Sequence, residues 1–460
     1  MQPPQPGPAT DDAPAPSMPG PHSVGSEARS VAPARPDPAG ATGPESARRA
    51  GADPAPPARG AGSDGDEPTD RPWRRSLRAA GFVWLVTHVG YGVITFFAFF
   101  QSGEKLPGSV GAAFGRWSVN WDARWFVWIA EHGYVFDECN RYICAKDSAA
   151  FFPLYPVLIR VVSVVTGNVY VAAWIIAVAA QLGAFAILHR LVESEFDRST
   201  ASRTLWYMVV FPTGFYLGIT YNASLFLLLV LGSVYLMRRG TWWGAALLGG
   251  LATATRSSAL LLFVPFCYEY LRQHDFRLRN IRWDVAWAAL IPTGIASFVV
   301  YCWVVLGDPL RFMAVQAHWG WERGREWPWV GIYRTVKIIF TSPNILGNDA
   351  RNLVDLGAVL FVSTMLVLAF VGPWKLRRDQ WFLPVFGIAT VLFIISFPAD
   401  NPINRVPLLS AARLSLEAFP AFLMAARIGS NPKFDRFYTF VCLPLQGLWM
   451  SHFLLIHFIG

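Results

Sequence analysis

Residues 161–188 read VVSVVTGNVYVAAWIIAVAAQLGAFAIL, with no Asp, Glu, Lys or Arg among them. A helix needs about 20 such residues to cross roughly 30 Å of hydrocarbon, and this run exceeds that. Four more uncharged runs follow, at 204–237, 285–307, 380–399 and 437–460. A buried helix of a soluble protein can mimic one of these, but not the series. The chain is 53% hydrophobic and 15% charged, with 20 Trp, 34 Phe and a mean hydropathy of +0.33. Soluble domains carry roughly 25% charged residues. The reading is an all-α, multi-pass integral membrane protein.

Residues 1–70 differ. They hold 16 of the 34 prolines and no Phe, Trp or Tyr. Such a segment buries too little apolar surface to offset its ordering entropy, so a disordered cytoplasmic tail is expected ahead of a membrane domain at 71–460. No apolar stretch near Met1 suggests a signal peptide.

Basic residues border the runs, as inside-facing flanks do. The net charge of +8 is therefore read as a membrane feature, with membrane lipids as partners and no nucleic acid. Arg71, Arg74, Arg75 and Arg78 precede a span at 80–100, which places the N-terminus in the cytoplasm and residues 101–150 in a first outer loop. Phe151–Val165 reads as a partial or interfacial helix opened by Pro153 and Pro156. Run 204–237 is too long for one span and is expected to break at Tyr221–Ser224. A second outer loop covers 308–350, and the next span covers 353–373. The count is about 11 spans, with the basic loops all on one side. Asp122, Tyr221, Arg256, Asp308, His318 and Arg405 then fall at or beyond the outer ends of helices. A transporter would favour such groups near mid-membrane; this pattern suits a site at the lipid–water boundary.

The densest chemistry is Trp121–Tyr134, WDARWFVWIAEHGY. On a helix Asp122, Trp125, Phe126 and Ile129 share a face. A carboxylate so placed is able to take a proton from an attacking hydroxyl; equally, Asp122 or Asn120 simply caps a short helix. Arg256, in LATATRSSALLL, either snorkels to headgroups or grips a lipid phosphate bidentately. Asp308, Gln316, His318 and Trp319, in GDPLRFMAVQAHWG, combine polar and aromatic groups of the kind that bind sugars. Arg323 and Arg325 neutralise a phosphate or sit among headgroups. Arg405 and Arg413 raise the same pair of readings, and a helical ion pair between Arg413 and Glu417, four residues on, would account for both without substrate. Cys139 and Cys144 are positioned for a disulfide on an oxidising face. They are not a metal-ligand set. No Walker A or GxGxxG sequence is present. Nothing calls for a cofactor, and the residues leave room for a divalent metal without demanding one.

Taken in order, WDARWFVWIAEHGY (121–134), FFPLYPVLIR (151–160), FPTGFYLGITYNASLFLLL (211–229), LATATRSSALLL (251–262), GDPLRFMAVQAHWG (307–320) and AARLSLEAFPAF (411–422) resemble the bacterial branch of the PIG-V mannosyltransferases, over roughly residues 80–460. The resemblance implies a GT-C type fold and a polyprenyl-phosphate sugar donor used on the non-cytoplasmic face. It implies mannosyl or related hexosyl transfer to a glycolipid or glycan, with inversion. Asp122 matches the expected catalytic carboxylate, and Arg256 and Arg413 match arginines expected at the donor phosphate, with Arg405 as a helper. Trp121, Arg124, Trp125, Tyr221, Asn222, Asp308, Gln316, His318 and Trp319 are candidate substrate contacts. One departure stands out. Where the family pattern reads Tyr-Ser/Thr-Glu-Ser, this chain has Tyr221-Asn222-Ala223-Ser224, without the acid. The competing classes are a transporter or flippase of a lipid-linked sugar and an inactive membrane scaffold.

Overall fold

A computed structural model describes residues 72–102, 120–134, 145–318, 323–341, 348–400 and 405–455. The expected tail 1–70, Cys139, Cys144 and Trp319 lie outside the described residues, as does the side chain of His318. Among the described residues every regular element is helical.

Helix α1 (Pro72–Ser102) carries Arg74, Arg75 and Arg78 on its own first turns rather than ahead of them. After α2 (Asp122–His132) comes α3 (Leu154–Thr166), whose N-cap is Pro153. Its 13 residues rise only about 20 Å, and Val157, Val161, Val164 and Val165 stay exposed. Helix α4 (Val169–Glu195) is the long run quoted above. It lies antiparallel to α1, since Arg75 Nε pairs with Glu193 at 2.9 Å and Trp84 Nε1 donates to Val178 O at 3.1 Å. Ala172, Ala173, Ala177, Ala180 and Ala184 are buried along it. Small side chains of this kind let neighbouring helices approach closely, and α6 (Ala223–Arg238), which follows α5 (Arg198–Val210), packs there.

The expectation of about 11 spans is corrected. Among the described residues, three helices are long and apolar enough to cross a membrane: Pro72–Gln101, Val169–Glu195 and Ala350–Leu368. A fourth is added if Trp283–Leu290 and Thr293–Leu306, bent by 43°, count as one span. The protein is all-α and multi-pass, but the other uncharged runs are broken. Run 204–237 contains the end of α5, a broken stretch 211–222 that holds a 3-10 turn Gly214–Leu217, and most of the 16-residue α6. Region 240–270 divides into α7 (Trp242–Thr253), a 3-10 turn Ser257–Leu262 and α8 (Phe263–Gln273). Helix α9 is Thr293–Leu306, and the second loop holds α10 (Arg311–His318) and α11 (Pro328–Thr341) before α12 (Asn348–Leu368). Run 380–399 gives the 14-residue α13 (Phe382–Ile395). Region 408–427 splits into α14 (Ala411–Leu414), a 3-10 turn Ser415–Glu417 and α15 (Phe419–Ile428). The last helix, α16 (Pro432–Leu454), carries Lys433, Asp435 and Arg436 near its start. Lack of charge measures apolar composition; it does not guarantee an unbroken helix.

The break at 211–222 begins ten residues earlier than the expected Tyr221–Ser224. Irregular backbone inside a membrane protein is tolerated only where protein satisfies it, and every residue of 211–222 is buried. Gln446 Nε2 donates to Phe211 O at 3.0 Å, and Thr213 Oγ1 donates to Ala412 O at 2.9 Å. A Cβ at Gly214 would lie 2.5 Å from the carbonyl oxygens of Met208 and Val209, so glycine is required there.

Gly294 of α9 faces Gly250 of α7. A Cβ at 294 would meet Gly250 O at 2.1 Å and Ala254 N at 2.5 Å, and backbone cannot swing aside as a side chain does. Gly294→Ala is expected to lose about 1–3 kcal/mol. Thermal unfolding in detergent checks this: a midpoint equal to wild type would mean the two helices separate freely.

Candidate functional site

Helix α6 separates two polar clusters. Its ends, Ala223 and Arg238, lie about 22 Å apart by helical rise. At the C-terminal end Arg238 pairs with Glu195 at 2.6 Å, Asp379 at 3.2 Å and Glu269 at 3.3 Å. Arg272 binds the same Glu269 at 2.7 Å. This node ties α4, α6, α8 and the turn before α13 together.

The candidate site is at the other end. Trp121 adopts φ 54, a left-handed backbone that is costly for an aromatic residue, and this turn starts α2 at Asp122. Neither capping alternative holds, because α2 has no side-chain cap. The Asn120 amide donates instead to Phe453 O at 2.9 Å. Asp122 Oδ2 accepts from Arg413 NH1 at 2.6 Å, across 291 residues of sequence. The Asp122 backbone N–H donates to Tyr221 Oη at 3.3 Å. The Arg413 guanidinium lies 5.3 Å from the Tyr216 ring centroid and 5.4 Å from that of Tyr221, within cation–π range. Burial works to lower the Arg413 pKa, and the Asp122 carboxylate more than reverses it.

Arg413 is held by its own segment. Ser410 sits at φ 66. Asp355 Oδ1, buried on α12, accepts from Ala412 N at 2.7 Å. Arg351, one turn earlier on α12, is buried within electrostatic reach of Asp355 and Tyr216. Arg323 NH2 donates to Leu409 O at 3.0 Å. Burial, and then the neighbouring Arg413, push Arg323 down to about 10, which leaves it cationic at neutral pH.

Arg256 frames the far side. Its Nε and NH2 donate to Asn222 Oδ1 at 3.1 and 2.6 Å, and its NH1 pairs with Glu417. Ser258 Oγ donates to Glu417 Oε2 at 3.0 Å, and Asn222 Nδ2 donates to Thr255 O at 3.1 Å. Arg256 is therefore not snorkelling to headgroups. Burial lowers its pKa, with Glu417 opposing. The cluster holds four guanidiniums (Arg256, Arg323, Arg351, Arg413) against three carboxylates (Asp122, Asp355, Glu417), a surplus that favours an anionic ligand. It also opposes a second cation at Asp122, so these residues do not fit a divalent metal there. Among the described residues no group of three or more His, Cys, Asp or Glu gathers to hold one.

Asp122, Tyr221, Asn222, Arg256 and Arg413 lie in this one cluster. Several other candidates have further or different surroundings. Trp125 is buried and stacks on Phe151 at 5.6 Å, so it packs α2 onto α3 and is not open to a sugar. Trp121 is half-buried against the same core, and Arg124 is half-buried beside it. Asp308 accepts from Leu310 N at 2.9 Å, capping α10. Among the described residues Gln316 reaches the site through its carbonyl, which accepts from Arg323 N at 3.4 Å. Arg405 is exposed, at φ 46, and its carbonyl accepts from Asn352 Nδ2 at 3.0 Å. The alternative of an Arg413–Glu417 helical pair does not hold: the chain turns into a 3-10 segment at Ser415–Glu417, which destroys the four-residue spacing, and each side chain pairs elsewhere. Arg351, Asp355 and Tyr216 were missed. A charge inside an apolar run is expensive, and that signal marks Asp355.

If Glu417 is the counter-ion of buried Arg256, Glu417→Gln should cost about 3 kcal/mol of stability. A surface helical pair would cost under about 0.5 kcal/mol. Denaturant or thermal unfolding separates the two outcomes.

The sequence model of the family described as Mannosyltransferase (PIG-V) matches residues 105–346, more than half of the chain. No curated protein matches it. Among solved structures the chain is similar to ArnT from Cupriavidus metallidurans bound to undecaprenyl phosphate, at TM-score 0.44 and 12% identity over 82% of this chain and 76% of that one. The apo state of ArnT gives TM-score 0.43 at 12% identity, over 83% and 76%. The matched segment carries Asp122, Tyr221, Asn222, Arg256, Asp308 and Arg323, and the rest of the cluster packs onto it. The chain belongs to the mannosyltransferase (PIG-V) family of membrane glycosyltransferases.

Proposed function

We propose that this protein moves a mannosyl or related hexosyl residue from a polyprenyl-phosphate sugar to a glycolipid or glycan acceptor. The reaction takes place at the extracytoplasmic face, on a GT-C type scaffold. The observation that carries the reading is the Asp122–Arg413 pair at 2.6 Å, set among three further arginines.

Among the described residues no hydrogen bond reaches Asp122 Oδ1, and the side chain keeps 24% exposure. This oxygen accepts the proton of the acceptor hydroxyl as that oxygen attacks the anomeric carbon. A bond forms from acceptor oxygen to anomeric carbon, and the bond from that carbon to the phosphate oxygen breaks. The polyprenyl phosphate leaves with the electron pair. One displacement inverts the centre. Charge grows on the leaving phosphate, and preoriented cations stabilise it without reorganising. Arg413 and Arg323 take this role, with Arg405 as a helper at the exposed rim. Arg256, already engaged at Nε, NH1 and NH2, acts on the phosphate from behind Asn222 and Glu417. Asp308, Gln316, His318 and Trp319 are assigned to sugar or acceptor contacts in the second outer loop.

Ala223 does not argue for an inactive scaffold on this reading. Arg256 still has an acid, Glu417, and an amide acceptor, Asn222. The test is transfer of label from a radioactive polyprenyl-phosphate mannose by the purified protein in liposomes, with and without a membrane-glycolipid extract. The expected result is a new labelled glycosidic product. Movement of the labelled lipid across the bilayer with no such product would support the transporter class instead.

A further inference from the structure

The opposite end of α6 carries a second site, independent of the transfer reaction. A cavity of about 330 Å³ is lined by Tyr268, Arg272, Phe276, Arg378, Asp379 and Trp381. It joins the end of α8 to the turn before α13, where Tyr268 Oη donates to Arg378 O at 2.7 Å. Its charges are unevenly spent. Asp379 is taken by Arg238 at 3.2 Å and Arg377 at 3.2 Å, and Arg272 by Glu269. The Arg378 guanidinium makes only a cation–π contact, 5.9 Å over Trp381, among the described residues. The Trp381 indole Nε1 is buried with no hydrogen-bond partner. A buried N–H without an acceptor is costly. The cavity wall thus presents an unspent guanidinium, Trp381 beside it carries a buried indole N–H without an acceptor, and the neighbouring carboxylate is already neutralised.

The third wall is strained. Asp275 and Phe276 occupy consecutive left-handed positions, at φ 56 and φ 53. Non-glycine residues hold that backbone at a cost and gather where function fixes it. Here it turns Phe276, 57% exposed, to the cavity and against Tyr268, with ring centroids 5.8 Å apart. The following segment alternates: Leu278, Ile281 and Trp283 are exposed apolar residues, interleaved with exposed Arg277, Arg279 and Arg282. Trp283 opens the bent span, and Trp381 packs on Phe370, just past the span Ala350–Leu368. Exposed aromatics interleaved with arginines at the ends of spans mark a headgroup layer, and clustered basic residues there select anionic lipid.

We propose that this cavity binds the phosphate headgroup of an anionic glycerophospholipid. Arg378 holds the phosphate oxygens, and a small turn of the Trp381 ring brings its buried N–H to one of them. Tyr268, Phe276 and the Trp381 ring cover the glycerol and first methylenes.

The full-length protein, reconstituted in nanodiscs of phosphatidylcholine with a minority of phosphatidylglycerol, provides the test. Tightly bound lipid is counted by native mass spectrometry after extraction. Wild type is expected to retain phosphatidylglycerol about tenfold more than Arg378→Gln or Trp381→Phe, each of which removes one charged or N–H contact. Trp381→Phe keeps the ring against Phe370, and Arg378 is exposed, so both variants should fold. Equal retention in wild type and both variants overturns the proposal. So does full displacement of phosphatidylglycerol by inorganic phosphate, which would put a soluble anion in the cavity.

Discussion

Asp122→Asn abolishes sugar transfer while the protein still inserts and folds. The expected loss is about 10²–10⁴-fold, the span typical of general-base removal. Asparagine has the same shape and can still accept from Arg413 through its amide oxygen, so the turn at Trp121 and the packing of Trp125 and Phe126 on Phe151 should persist. What it lacks is an oxygen basic enough to take the acceptor proton. The measurement is product formation from polyprenyl-phosphate mannose, normalised to folded protein by thermal unfolding. Transfer at the wild-type rate would remove Asp122 from the reaction. A separate variant, Asp122→Cys with the native cysteines replaced, tests placement. A cysteine introduced at 122 should react with a membrane-impermeant thiol reagent from outside intact cells, and labelling only after permeabilisation would put this end of α6 in the cytoplasm.

Much of the scaffold is legible in composition, because the bilayer acts locally: an uncharged run announces itself without knowledge of its neighbours. Continuity of a helix is not local in the same way. Stretch 211–222 is as free of charge as its flanks but less apolar, and Pro212, Gly214 and Gly218 weaken it as a helix. It is accommodated unwound because Gln446 Nε2 donates to its Phe211 carbonyl and its Thr213 hydroxyl donates to the distant Ala412 carbonyl. The same limit governs the site. Asp122 stood out as a carboxylate among aromatics at a helix start. Its partner did not, since nothing in residues 121–134 prefers Arg413 to Arg124, which is nearer in sequence. Helical spacing offers Glu417 to Arg413 as one of two readings, and the 3-10 turn at Ser415–Glu417 hands it to Arg256 instead. Asp355 shows in the sequence as a charge inside the span 353–373, but its role does not. Its oxygen serves a backbone N–H 57 residues away, a partner that no pattern of side chains can encode.

Arg413→Gln is the sharper test of what the central pair is for. Two roles predict different behaviour. If the pair only braces α2 against the 410–413 segment, losing either member leaves a partly buried charge uncompensated, at about 3 kcal/mol. Removing both in Asp122→Asn/Arg413→Gln would then recover most of that stability, and transfer would recover with it. If the guanidinium also stabilises the departing phosphate, Arg413→Gln lowers the rate by about 10²–10³-fold, the loss expected for one oriented donor. The double variant then regains stability and stays inactive, which loss of the Asp122 base alone would also give, so the guanidinium's role is read from Arg413→Gln with Asp122 intact, its rate normalised to folded protein. Arg413→Lys should fall between, because an ammonium keeps the charge but not the planar fork that Asp122 and a phosphate oxygen can share. The proposal expects unfolding midpoints that recover in the double variant while the transfer rate does not. Rates that track stability across all four proteins would reduce the pair to a brace and send the search for the phosphate ligand to Arg323, whose guanidinium is bound through NH2 to a single carbonyl.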